Sequence, residues 1–195
     1  KDRNSSHVRC VREGENNETV IEAFTYIKKT GQTQSYNAAG IEVVDNSLKD
    51  DGEYETGVTP SYTRDDATGI VTDNITGLMW QDDVESESVQ KSWSVAVTYC
   101  TDLVLPSDGF SDWRLPTDEE LESIVDYNRI DPSMDPTFIN TNSYVFWSST
   151  SNKDYTIQAW LMYDSGYSMK DWKYNRYYVR CVRDGQLNAD TQPEI

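Results

Sequence analysis

Asp112-Trp113-Arg114-Leu115-Pro116-Thr117-Asp118-Glu119-Glu120-Leu121 is the stretch on which the fold turns. Pro116 interrupts whatever regular structure precedes it. Thr117, followed three residues later by Glu120, has the spacing of a capping box, in which hydroxyl and carboxylate each take up a free backbone N–H at a helix start. Leu121, Ile124 and Val125 then fall at core spacing, so a helix is predicted from about residue 118 to 128. Arg114 stands just ahead of a first turn carrying three acids, and a structural ion pair is its expected role.

Upstream, Trp93, Ala96, Val97, Cys100 and Leu103 share one helical stripe, with Ser92 placed as N-cap; this predicts an earlier helix over 92–103. Between Tyr62 and Trp80, the runs Ile70-Val71-Thr72 and Leu78-Met79-Trp80 flank Asp73-Asn74-Ile75-Thr76-Gly77 as a hairpin flanks its turn. Loops and short strands are expected before residue 62. Downstream, Pro132 and Pro136 break the chain, and 144–149, 159–164 and 177–183 are short strand-like runs separated by polar turns. Two helices packed on short antiparallel sheets make an α+β fold.

The chain has 195 residues, enough for one well-buried core, with 12% aromatic and 26% charged residues. A net charge of −17 repels phosphate and anionic lipid, so nucleic acid is excluded as a partner. No run approaches the roughly 18 apolar residues of a membrane span, and membrane insertion is not expected. Three cysteines are too few for a disulfide-dense scaffold and leave an odd thiol.

His7-Val8-Arg9-Cys10-Val11-Arg12-Glu13-Gly14 returns as Tyr178-Val179-Arg180-Cys181-Val182-Arg183-Asp184-Gly185, identical at six of eight positions. The offset is one domain length. Residues 1–14 therefore read as the last strand of a preceding repeat unit, 15–27 as a linker, 28–185 as a complete domain, and 186–195 as a linker to a following unit. The competing reading is chance likeness between two strands of one sheet, since alternating Val and Arg is an ordinary half-buried pattern.

Gly77-Leu78-Met79-Trp80, Tyr99-Cys100, Asp112 to Thr117, Trp147-Ser148-Ser149-Thr150 and Tyr178 to Arg183 together resemble the Legionella collagen-like protein C-terminal domain (Lcl C-terminal domain) family. The resemblance implies a C-type-lectin-like fold and a bacterial module that is extracellular or on the cell surface, often in tandem. It implies adhesion through a glycan or protein receptor. It also implies that Cys100 and Cys181 form a structural disulfide, leaving Cys10 for an inter-unit bond. The calcium-binding triplets of sugar-binding C-type lectins are absent from this sequence, so sugar bridging by calcium is not expected.

The late segment supplies the candidate ligand surface: Tyr155, Tyr163, Tyr167, Trp172, Tyr174 and Tyr177, with Asn152 and Asp171 among them. Aromatics mixed with short polar side chains give large contact area at low entropic cost. The bland reading is a solvated loop with some tyrosines packed inward. Trp80, Trp93, Trp113 and Trp147 sit among apolar neighbours and are read as core anchors, not sugar platforms. The runs Asp82-Asp83-Val84-Glu85 and Asp50-Asp51-Gly52-Glu53 make calcium a candidate cofactor, but neither has the spacing of a calcium loop and both read first as solvated acidic loops.

No enzyme is expected. The single histidine, His7, lies outside the complete unit, so a Ser-His or Cys-His pair has no base there. Beside adhesion stands a second reading: a self-assembling subunit of an extracellular fibre or tandem array, with copies of itself as partners and the N-terminal strand completing a neighbour.

Overall fold

The computed structural model describes residues 27–45, 47–105, 109–141 and 145–185. The anticipated strand over 1–14, Cys10, most of the 15–27 linker and the 186–195 linker lie outside the described residues. In chain order the elements are β1 (Ser35–Tyr36), β2 (Glu42–Val43), α1 (Asp51–Tyr54), β3 (Tyr62–Asp65), β4 (Ile70–Asp73), β5 (Leu78–Gln81), α2 (Val84–Ser88), β6 (Lys91–Ser92), α3 (Trp93–Thr101), α4 (Asp118–Glu122), β7 (Val145–Ser151), β8 (Gln158–Tyr163), β9 (Ser168–Trp172), β10 (Arg176–Tyr177) and β11 (Val182–Asp184). They build small antiparallel sheets ordered β1-β2, β10-β6, β11-β5-β4-β3 and β7-β8-β9. The architecture is α+β.

The expected hairpin is a three-stranded meander, because two turns punctuate it and not one. Gly69 and Gly77, both at positive φ, close the two turns, a conformation that costs glycine least. In the second turn the Asp73 carboxylate accepts the N–H groups of Ile75 (3.0 Å) and Thr76 (3.3 Å) and the Thr76 hydroxyl. Strand β11 then adds to the meander, Val182 opposite Trp80 and Arg183 opposite Met79. On its other side Val182 exchanges backbone hydrogen bonds of 2.8 and 2.9 Å with Arg114.

Helix α3 matches the predicted stripe: Ala96 and Cys100 are fully buried, and Trp93 and Val97 pack partly buried against the same cluster as Trp113, Trp147 and Leu161. Ser92 holds the N-cap position without a capping hydrogen bond from its side chain. Helix α4 carries the complete capping box, Thr117 Oγ1 accepting the Glu120 N–H and Glu120 accepting the Thr117 N–H. It is shorter than the predicted 118–128. The Asp126 N–H goes to Ser133 O (2.9 Å) and Val125 bridges Met134, so the backbone leaves the helix to pair sideways. Leu121 and Ile124 still reach a second buried cluster with Trp80, Phe146 and Met162.

Three of the four tryptophans read as core anchors are buried, namely Trp80, Trp113 and Trp147. Trp93 is partly covered, and its indole N–H donates to Ser148 O at 2.8 Å. Cys100 and Cys181 are disulfide-bonded with their Cα atoms 5.5 Å apart, tying α3 to the approach to β11. Alternation places Arg180 on a half-buried face, but it is fully buried. Its guanidinium donates to Gln81 O (2.9 Å), Asp82 Oδ1 (2.5 Å) and Asn140 O (2.6 Å), between the rings of Phe138 and Phe146.

Candidate ligand-binding surface

The late segment, which reads as short strand-like runs separated by polar turns, contains the three-stranded sheet β7-β8-β9. Because its side chains alternate, the sheet sorts the candidate residues by face and by end. Ala159, Leu161 and Tyr163 of β8 point to the core with Met169. Their neighbours Gln158, Trp160 and Met162 share the opposite face with Trp172, Lys170 and Ser168, which are their partners across the ladder.

Tyr163 and Tyr167 stand at the β8–β9 turn, rings 6.0 Å apart, where Gly166 at positive φ completes a tight loop. The other candidates gather at the far end of the hairpin, roughly 17 Å away at about 3.3 Å per strand residue. There Trp172 and Tyr174 stack nearly parallel, centroids 6.0 Å apart and planes at 16°. Tyr174 is 72% exposed and Trp172 37%; Tyr155 and Ile157 are exposed as well, Ile157 O accepting the Lys173 N–H at 2.9 Å. The structure thus divides the eight residues into two groups.

Three of them serve the two connections at this end. Asn152 is only 4% exposed; its side-chain amide donates to Gln158 Oε1 (2.9 Å) and its carbonyl accepts the Asp154 N–H. Asp171 accepts from the Tyr177 hydroxyl, from Asn175 Nδ2 (2.8 Å) and from the Trp172 N–H (2.8 Å). Burial alone would raise the Asp171 carboxyl, but these three donors outweigh it and hold the group below its ordinary value. Tyr177, half-buried and bonded to that carboxylate, is pushed up to about 12; its ring packs edge-on to Trp147 at 5.0 Å. Asp171 and Tyr177 fix the loop that presents Trp172 and Tyr174, while Asn152 fixes the β7–β8 turn.

Around the stacked pair lie cations that the sequence reading passed over. Lys173 Nζ sits 4.0 Å over the Trp93 ring and donates to Ser151 Oγ; Lys170 lies 4.6 Å over Trp160, and Lys91 3.7 Å over Tyr99. Arg176 donates to Gln90 O. Among the described residues the ion pairs involve Lys28, Lys29, Arg64, Arg114, Arg180 and Arg183, and none of these four. Their clustering at 170, 173 and 176 in a chain of net charge −17 was the available signal.

A groove of about 450 Å³ runs beside Tyr174, lined by Val89, Gln90, Lys91, Ser92, Val95 and Arg176. It shares Lys91 and Val95 with a second groove of about 560 Å³ along α3, past Tyr99 to Val104. Strand pairing sets Tyr177 against Lys91 and Arg176 against Ser92, and the groove at this ladder is lined by both Lys91 and Arg176. Burial lowers Lys91 from its ordinary value; Glu85 and Asp83 oppose this, and Arg176 adds to it. A bound anion would relieve the Lys91–Arg176 repulsion.

The acidic runs are engaged elsewhere. Asp82 is buried against Arg180 and Arg64 and accepts the Ile139 N–H, while Asp83 caps α2. Asp50 and Asp51 accept from Ser35 and Thr30, and Glu53 from the N–H groups of Leu48 and Lys49. Among the described residues no group of three or more His, Cys, Asp or Glu side chains is placed to hold a metal ion. Arg114 fulfils its expected structural role, forked onto Glu120 at 2.6 and 2.7 Å with Asp184 at 2.7 Å.

Comparison with known families matches the Lcl C-terminal domain over residues 69–183, more than half of the chain and the whole of the two buried clusters. The chain belongs to the Lcl C-terminal domain family, a group of bacterial surface-associated modules. No curated protein matches it significantly. No helix among the described residues is long and apolar enough to cross a membrane.

Proposed function

We propose that the protein is an extracellular adhesion module, non-enzymatic, that binds acidic glycans on a C-type-lectin-like scaffold. One observation carries the reading: an exposed, stacked Trp172–Tyr174 pair borders a groove lined by Lys91 and Arg176, neither of which is in a salt bridge among the described residues. Indole and phenol faces pack on the apolar faces of pyranose rings, and cations next to them select uronic, sialic or sulfated sugars over neutral ones. The net charge of −17 sharpens that selection, because anions not held by the groove are repelled by the rest of the surface. No catalytic step is assigned, since the groove presents stacking faces and fixed cations and no paired acid and base.

A glycan array followed by calorimetry tests this. Acidic oligosaccharides should bind and neutral ones should not, with affinity falling as salt rises. Trp172→Ala and Arg176→Ala should each weaken binding about tenfold, or about 1.4 kcal/mol, with an unchanged melting temperature. Binding of neutral sugars alone, or full affinity in both variants, would refute this site.

A further inference from the structure

The groove beside Tyr174 and the groove along α3 share Lys91 and Val95, so they adjoin on one face of that helix. Arg176, opposite Ser92 in the ladder, marks the start of α3. Lys91 stands at the junction, its ammonium 3.7 Å from the centre of the Tyr99 ring. That ring is held in turn, since the Tyr99 hydroxyl accepts from Gln81 Nε2 at 2.7 Å and donates to Glu85 at 3.0 Å. Beyond Thr98 and Tyr99 the second groove reaches Asp102. Cations therefore line one end and a carboxylate the other, with the nine residues of α3 between them, roughly 14 Å at about 1.5 Å per residue.

Asp102 is placed where the fold gains least from a carboxylate. It is exposed and holds the C-cap of α3, where the carbonyl end of a helix carries partial negative charge and favours cations. The last turn of α3 has no basic residue. Among the described residues no side chain gives Asp102 a hydrogen bond or an ion pair. Asp82, Asp112, Asp118 and Asp171, by contrast, each accept from a side chain.

We propose that the two grooves form one polarised trough in which the glycan lies in a fixed direction, its anionic group at Lys91 and Arg176 and a free, protonated amino sugar at Asp102. This rests on the acidic-glycan reading above and narrows it to zwitterionic chains, in which acidic units alternate with unacetylated amino sugars. Each end of the trough then meets the opposite charge. A wholly anionic chain would instead bring like charge against Asp102 and the carbonyl end of α3. The stacked Trp172–Tyr174 pair at the cationic end, suited to pyranose faces, favours a saccharide over a peptide of the same charge pattern.

The test compares two hexasaccharides of alternating uronic acid and glucosamine, one N-acetylated and one with free amines, by calorimetry on the full chain. The free-amine form should bind about fivefold more tightly, the upper scale of an exposed ion pair. Asp102→Asn should abolish that preference without weakening the acetylated form. Glu122→Gln, which removes an equal charge from an exposed position on α4 outside both grooves, should keep it. Asp102→Asn should also melt no earlier than the parent, because it relieves α3 of an unfavourable charge; a lower melting temperature would assign the carboxylate to the fold and overturn the proposal. Equal affinity for the two forms, a preference that survives Asp102→Asn, or one lost equally in Glu122→Gln would overturn it too, and leave the acidic-glycan reading standing. Binding of neither form would remove that reading and this inference together, and binding only of a peptide bearing one acid and one amine would give the trough to a protein receptor.

Discussion

At the scale of single residues, Arg180 is the most informative. Its charge is withdrawn from water and matched by Asp82, itself shared with Arg64, while two carbonyls and two phenyl rings complete the setting. Arg180→Ala should cost about 3–5 kcal/mol, the usual penalty for breaking a buried pair by removing one partner, measured by urea unfolding. Arg180→Lys should not rescue it, since one ammonium cannot reach all three oxygens or lie flat between Phe138 and Phe146. A loss below about 1 kcal/mol, the scale of exposed pairs, would mean that Arg64 alone satisfies Asp82. Arg180 could not be placed from sequence because its partner is 98 residues away and strand alternation argues for the wrong face. Asp171 and Asn152 show the opposite limit: their residue types suit recognition, yet the hydrogen bonds they make are internal to the loop.

At the scale of elements, the signals that were legible are those contained in a few consecutive residues. The Thr117/Glu120 capping box and the α3 stripe are local chemistry and occur as read. The end of α4 was not legible, because it is set by pairing with residues 133 and 134, beyond two prolines. Strand β9 was likewise hidden, its alternation of Met169 and Asp171 with polar neighbours visible only beside β8. Thr117→Ala should cost about 1 kcal/mol through the lost cap. For Glu120, burial alone would raise the carboxyl, but Arg114 and the Thr117 N–H outweigh it and hold the group below its ordinary value of 4.5. A lowered folded pKa stabilises above the unfolded value and is lost as pH falls through the folded one. The melting temperature should therefore drop below about pH 4.5, and Glu120→Gln, less stable at neutral pH, should show a shallower acid limb in thermal scans.

At the scale of the molecule, two buried clusters share the sheets and are clasped by Cys100–Cys181, which closes a sequence separation of 81 residues. Reduction, or the double change Cys100→Ala with Cys181→Ala, should lower stability by about 2–4 kcal/mol. Denaturant midpoints with and without reductant check this; an unchanged midpoint would mean the packing holds the ends together unaided. The family pattern made that bond foreseeable, whereas the division of the late aromatics between two ends of one hairpin required the register of β7, β8 and β9.

The same bond has a topological result. Every residue from 101 to 180, including Trp172, Tyr174 and Arg176, lies inside the covalent ring it closes. A protease reaching the exposed loop Lys153–Ile157 would nick the chain but could not shed the piece that carries the proposed binding face. On a surface exposed to secreted proteases, the module would be cut and stay whole, its fragments parting on a gel only after reduction.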